Sequence, residues 1–278
     1  MMVMSPTGLA RGRAEGLAGV KPLPERQPAV RNGRDAQTMS AQRGCLHFLL
    51  NEVKVMSKFL IFGHRGSPRR FPENTLASFE AALREGADGF ETDLRLLSDR
   101  AAVLYHDDEV GDDACETLSA TAFAERGIPV EPLAVLAPFA GRTTMILEVK
   151  RGRWENILIE RVGTWPGIVV ASFDHSVIAE LKARNVTFEL GLTLSGIIVN
   201  LPSYAARLGA TWVFPNLHYV DADLVQSLHA EGIRVVPWTA NRRRDWERLV
   251  EAGCDGVITD DPAAAVAWRS AIASPENR

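Results

Sequence analysis

The chain has 278 residues, 46% of them hydrophobic, and a formal net charge of −4. That length holds one large domain or two small ones, and the acidic balance argues against a general nucleic-acid binder, which needs a basic face. No apolar run approaches the roughly 18 residues of a membrane span. Three scattered cysteines (Cys45, Cys115, Cys254) with no CxxC fit reduced thiols in a cytoplasmic setting, not a disulfide framework.

Residues 1–57 differ from the rest. Up to Met56 they hold eight Lys/Arg against four Asp/Glu, a net +4 that leaves −8 for the remainder. They are rich in Gly, Pro, Arg, Gln and Ser and lack a helical or strand period, the composition of a disordered tail. His47-Phe48-Leu49-Leu50 is too short for a signal-peptide core. The first strand begins just past Met56, so Met56 reads as the biological start and the preceding segment as an over-extended gene assignment. The domain is expected over 58–270, with a tail at 271–278.

Phe59-Leu60-Ile61-Phe62 is a continuous apolar run, as in a buried parallel strand. Pro72-Glu73-Asn74-Thr75 opens a helix to about Arg84, capped by Asn74 or Thr75, with Leu76, Phe79, Ala82 and Leu83 as its apolar stripe. Gly89 to Asp93 is a second strand. The link from Asp93 to Ala101 is too short for a parallel crossover, which takes a dozen residues or more. Residues 101–106 are therefore expected to fold back as a hairpin arm. Parallel strands are expected at 58–63, 88–93, 143–149, 167–172, 189–194, 211–214, 233–238 and 256–259. Helical patterns lie between them, for example at 175–184, 201–208, 221–230 and 243–252. Eight such units predict an α/β fold, a (β/α)8 TIM barrel with a hairpin and loop insertion after strand 2. Residues 108–142 should hold one or two short helices above or beside the barrel. A doubly wound sheet is the alternative, but the first strand lacks a following glycine-rich phosphate loop.

The chemistry-bearing residues cluster at strand ends. Residues i and i+2 of a strand share a face, so Glu91 and Asp93 point the same way, and Glu148 and Lys150 repeat the spacing. Active sites of such barrels lie at the C-terminal strand ends. Three carboxylates converging there make an all-oxygen site for a hard divalent cation, Mg²⁺ or Ca²⁺. His64 and His106, each following an extended run, suit a general acid and a general base near neutral pH. Arg65 offers a planar fork of donors for phosphate oxygens. Trp238 ends a strand and either walls the pocket or belongs to the core; Phe173 is a similar case. His47, His175, His218 and His229 receive no role. No apolar lip or secretion signal marks an interfacial enzyme.

His64-Arg65-Gly66, Pro72-Glu73-Asn74-Thr75, Glu91-Thr92-Asp93, His106-Asp107, Leu147-Glu148-Val149-Lys150, Ala171-Ser172-Phe173, Trp238-Thr239-Ala240-Asn241 and Asp255 to Asp260 follow one another in an order that resembles the glycerophosphodiester phosphodiesterases. The likeness spans roughly 58–265. It implies a barrel of the phospholipase-C-like type and metal-dependent hydrolysis of small-molecule glycerophosphodiesters to an alcohol and sn-glycerol 3-phosphate. It implies metal ligands at Glu91, Asp93 and Glu148, acid–base roles for His64 (base) and His106 (acid), and phosphate contacts from Arg65 and Lys150. The chain departs from the family pattern at Asp108 to Cys115, next to the expected place of the leaving alcohol, which leaves head-group preference open, as it does oligomeric state. Two other functions fit the same residues less well. One is a cyclising, phospholipase-D-like lyase acting on lysophospholipids; the other is an inactive barrel that only binds phosphodiesters.

Overall fold

The computed structural model describes residues 59–273; the expectations for the N-terminal extension, for His47 and Cys45, and for the last residues of the tail lie outside them. The apolar runs form strands because each is buried on both faces. In chain order the first elements are β1 (Leu60–Gly63), α1 (Leu76–Arg84), β2 (Gly89–Leu96) and β3 (Ala102–Leu104). The insertion follows: β4 (Glu109–Val110), β5 (Asp113–Ala114), α2 (Ala120–Glu125) and β6 (Glu131–Pro132). Strand–helix units then alternate: β7 (Thr144–Val149), α3 (Glu155–Val162), β8 (Ile168–Ser172), α4 (His175–Ala183), β9 (Glu189–Leu194) and α5 (Leu201–Arg207). The last are β10 (Trp212–Pro215), α6 (Ala222–Ala230), β11 (Arg234–Val235), α7 (Arg243–Glu251), β12 (Gly256–Thr259) and α8 (Pro262–Ala273).

Eight parallel strands lie in the order β11-β10-β9-β8-β7-β2-β1-β12. The ends of that row meet through backbone hydrogen bonds from Asp255 N to Val235 O (2.9 Å), Ile258 N to Pro237 O (2.9 Å) and Ala240 N to Ile258 O (3.0 Å). The result is the expected (β/α)8 barrel. Alternation along each strand builds two cores. Phe62, Ile146, Val169, Trp212, Phe214 and Ile258 fill the barrel, while Ile61, Leu147, Val170, Val213 and Val257 face the helices. Gly191 leaves room inside: a Cβ there would sit 2.5 Å from the Phe214 ring.

The hairpin arm forms as the short link requires. β3 runs antiparallel to β2, with Leu94 opposite Leu104 and Leu96 opposite Ala102. Two features of the insertion were not expected: β6 adds to β3, and β4 and β5 make their own small hairpin. Leu97, Val103, Val110, Cys115, Leu118 and Phe123 form a separate small core beneath them. On α1 the cap is Thr75, whose side chain accepts from Ser78 N. Leu76, expected in the buried stripe, is exposed, because Ser78, Phe79, Ala81 and Ala82 make the buried face.

Candidate active site

Every sequence-predicted site residue lines one cavity of about 170 Å³ at the C-terminal end of the barrel: His64, Arg65, Glu91, Asp93, His106, Glu148, Lys150 and Trp238. Asp93 on β2 and Glu148 on β7 are register partners, and Glu91 lies two residues before Asp93 on the same face. All three are buried. One oxygen from each lies within 4.8 Å of the others. Mg²⁺ and Ca²⁺ take oxygen ligands at roughly 2.0–2.6 Å, so this donor set and spacing fit such an ion.

The electrostatics point the same way. Burial and the Asp93 charge push Glu91 up to about 8. Burial likewise raises Glu148, although Lys150 opposes it. Asp93 is held below the usual range: burial would raise it, but Lys150 and Arg65 outweigh burial. Three carboxylates this close cannot all ionise without positive charge nearby. Two cations already supply some. Lys150 Nζ lies 2.7 Å from Asp93 Oδ1 and also bonds Glu148. Arg65 Nε lies 3.2 Å from Asp93 Oδ2. Arg65 is therefore partly engaged, since its Nη1 also pairs with Glu73 at 2.8 Å. With all three carboxylates ionised and His64 neutral, these five groups sum to −1; a divalent ion would favour that ionised state and make the centre positive toward a phosphate.

The loop after β1 is shaped to bring these groups together. Arg65, Gly66 and Asn74 have φ of 52°, 91° and 55°. A Cβ on Gly66 would lie 2.4 Å from Ser78 Oγ, which itself accepts from Ser67 N and donates to Arg65 O. Asn74, a type that tolerates this left-handed conformation, is buried and is not the cap. Its Nδ2 donates to Asp93 Oδ2 at 2.8 Å. Its Oδ1 accepts from Thr92 Oγ1 (2.7 Å) and Asp93 N (3.3 Å). Asn74 thereby fixes the orientation of Asp93.

Each histidine is oriented by an aspartate. His64 Nδ1 donates to Asp260 Oδ1 at 2.7 Å. Asn241 donates from Nδ2 to Asp260 Oδ2 (2.6 Å) and accepts Asp260 N (2.8 Å). Although burial disfavours its charged form, the Asp260 bond and the Glu91 charge leave His64 with a raised pKa. Its Nε2 lies 4.0 Å from Glu91. His106 Nδ1 donates to Asp107 Oδ1 at 2.8 Å. An ionised carboxylate only accepts, so in the neutral ring each Nδ1 carries the hydrogen and each Nε2 a lone pair.

Three supporting residues escaped the sequence reading: Asn74 as a ligand-orienting group, Asp260, and Arg95. Arg95 lies on β2 two residues past Asp93, with a fully buried side chain. Its Nη2 donates to His106 O (2.8 Å) and Asp108 Oδ1 (2.7 Å), and its Nη1 to Glu116 Oε1 (2.5 Å). It holds the loop that carries His106. Trp238 serves both expectations: it lines the cavity, donates Nε1 to Phe214 O (2.9 Å) and meets Phe173 edge-on at 5.5 Å. His175, the first residue of α4, meets α5 and β9, with Nδ1 3.0 Å from Tyr204 Oη and Nε2 3.2 Å from Thr193 O, and His229 pairs with Asp255 at 2.8 Å. Ile197 and Val199, after β9, are 79% and 83% exposed.

Fold and cavity define a (β/α)8 barrel whose C-terminal rim carries an acidic, cation-ready centre between two histidines. The chain belongs to the glycerophosphoryl diester phosphodiesterase family, whose sequence model matches residues 64–125 and 139–264. It is 28% identical over 235 residues to a glycerophosphodiester phosphodiesterase of Caldanaerobacter subterraneus, covering 75% of this chain and 97% of that one. A Bacillus altitudinis protein of the same name is 29% identical, over 75% of this chain and 97% of its own. Among solved structures, a phosphodiesterase from Oleispira antarctica in complex with the product sn-glycerol 3-phosphate superposes with a TM-score of 0.67. It is 21% identical, over 76% of this chain and 96% of that one. Among the described residues, no helix is long and apolar enough to cross a membrane.

Proposed function

We propose that the chain hydrolyses glycerophosphodiesters to an alcohol and sn-glycerol 3-phosphate, with Glu91, Asp93 and Glu148 holding Mg²⁺ or Ca²⁺. The observation that carries this reading is the convergence of the three carboxylates and both histidines on one cavity. Family membership and the product held by the Oleispira relative support the substrate class. When bound, the cation would supply positive charge to phosphoryl oxygens and stabilise the more anionic transition state. Asn74 would keep Asp93 aimed at that centre. Arg65 and Lys150, facing the carboxylates, are the phosphate contacts, adding fixed positive charge where negative charge develops.

His64 is assigned as the base. Asp260 fixes its tautomer and stabilises the imidazolium it becomes on taking a proton at Nε2. The proton comes from water, or from the glycerol 2-hydroxyl if a cyclic phosphate forms first. His106 is assigned as the acid, giving a proton to the leaving alkoxide. Trp238 and Phe173 form the apolar wall against which the glycerol carbons pack. Free, buried Cys115 and Cys254 support a reducing, cytoplasmic setting. The test is release of sn-glycerol 3-phosphate from glycerophosphocholine, with and without a chelator. Product that appears, disappears on chelation and returns with Mg²⁺ or Ca²⁺ is the expected result. Undiminished turnover in excess chelator refutes the metal site, and accumulation of a cyclic product identifies a lyase instead.

A further inference from the structure

Every charged or titratable side chain that lines the cavity already has a protein partner. Glu91 accepts from Arg65 N at 3.1 Å and Glu148 accepts from Lys150. Asp93 pairs with Arg65 and Lys150, and each histidine holds its aspartate. Trp238 donates its Nε1 to Phe214 O. One polar side chain of the lining is left, Thr193. It is only 5% exposed. Its carbonyl accepts from His175 Nε2 at 3.2 Å, which fixes the end of β9. Its hydroxyl makes no hydrogen bond to any described residue, and it is not sealed from solvent. A hydroxyl left unpaired yet open can bond only what enters the cavity.

Strand register says what that is. Glu148, Ala171, Gly191 and Trp212 are successive cross-strand neighbours on β7, β8, β9 and β10. Two residues further along each strand, toward the same inward face, come Lys150, Phe173, Thr193 and Phe214. Thr193 therefore stands in the layer above Glu148, two strand spacings or roughly 10 Å from Lys150, with Phe173 and Phe214 on either side. A phosphate placed at the carboxylate centre beside Arg65 and Lys150 leaves the three-carbon part of the substrate to extend along Phe173, Phe214 and Trp238. That wall is apolar except at Thr193. We propose that Thr193 is a specificity-determining residue, whose hydroxyl bonds the terminal hydroxyl of the glycerol moiety, the one farthest from the phosphate. This rests on the hydrolase reading above. The 2-hydroxyl stays next to the phosphate, whereas the terminal one enters the apolar wall stripped of water. There Thr193, able both to donate and to accept, is the side chain free to pair it. A site built to bond a hydroxyl rejects the analogue that lacks it, because its own polar group is then left unpaired.

The experiment follows choline release by the full chain, in saturating Mg²⁺ or Ca²⁺, from glycerophosphocholine and from its deoxy analogue, in which a methyl group replaces the terminal hydroxymethyl. The analogue keeps the 2-hydroxyl, so attack by water or by that hydroxyl stays open. The native chain is expected to favour glycerophosphocholine by about 10- to 100-fold in kcat/KM. Thr193→Val keeps the shape of the side chain and removes the hydroxyl. It should bring glycerophosphocholine down to about the level of the analogue and leave the analogue at its native level. Thr193→Ala serves the same purpose if Thr193→Val does not fold. Thr193→Ser keeps the hydroxyl and should keep most of the preference. A native chain that cleaves both substrates equally overturns the inference. So does a variant without the hydroxyl that retains the preference, or one that loses equally on both substrates, the mark of a structural role. No choline from either substrate with the native chain sinks the hydrolase reading, and the inference with it.

Discussion

His64 and His106 end similar extended runs and pair with aspartates through the same ring nitrogen, yet their supports differ. His64 stands on the barrel itself: its backbone N–H bonds Thr259 O of β12, and Asp260 and Asn241 brace its ring. Its side chain is 21% exposed. His106 stands on the hairpin insertion, with a side chain 37% exposed and a partner, Asp107, that is 67% exposed. What fixes it is Arg95, reaching up from β2 to grip the loop backbone. One group stands on the barrel strands beside the buried carboxylates, the other on a peripheral loop. The proposed base suits the first place, beside buried carboxylates; the proposed acid, which would meet alcohols of varied shape, suits the second.

Breaking the barrel side should cost most. His64→Ala should lower kcat by roughly 10²–10⁴, on any leaving group. Asp260→Asn leaves the shape but loses the carboxylate that holds the tautomer. A loss of about 10- to 100-fold is expected, larger in kcat than in KM, and an unchanged kcat would show that the pair is only structural.

Breaking the insertion side should cost less and depend on substrate. Arg95→Met removes three hydrogen bonds, leaving Asp108 without its cation and Glu116 with only Arg151, 3.8 Å away. About tenfold is expected from kcat on glycerophosphocholine, with recovery on a nitrophenyl ester, whose alcohol needs no acid. Arg95→Lys should restore only part, since an ammonium lacks the fork. An equal loss on both substrates would mean that Arg95 supports the fold alone.

The smallest effect is one of pH. The hydrogen bond from Arg95 holds Asp108 below the usual carboxylate range. A depressed carboxylate stabilises the fold above its unfolded pKa of about 3.9. That stability is lost as pH falls through the lower folded value. Asp108→Asn should therefore flatten the fall in melting temperature between neutral and acid pH. An identical fall in the variant would show that the bond adds nothing.

These two regions were not equally legible in the sequence. The barrel strands are continuous apolar runs, and Glu91-x-Asp93 with Glu148-x-Lys150 reveals the centre because alternation along a strand is local. The direction of β3 followed from a link too short for a crossover. Partners far apart in the chain were hidden. Asp260 reaches His64 across 196 residues, and Asn74 reads as a helix cap until the loop is seen to turn it onto Asp93. Arg95 lies past the expected end of the second strand at residue 93; only its burial and its three acceptors show what it does.

The proposed division of labour between the two histidines is tested most directly by one comparison. His106→Ala and His64→Ala are each assayed on glycerophosphocholine and on the nitrophenyl ester of glycerol 3-phosphate, in saturating Mg²⁺ or Ca²⁺. The account predicts that His106→Ala regains most of its lost rate on the nitrophenyl ester, while His64→Ala stays equally impaired on both. Equal impairment of His106→Ala on the two substrates, accompanied by a lowered melting temperature, would contradict it.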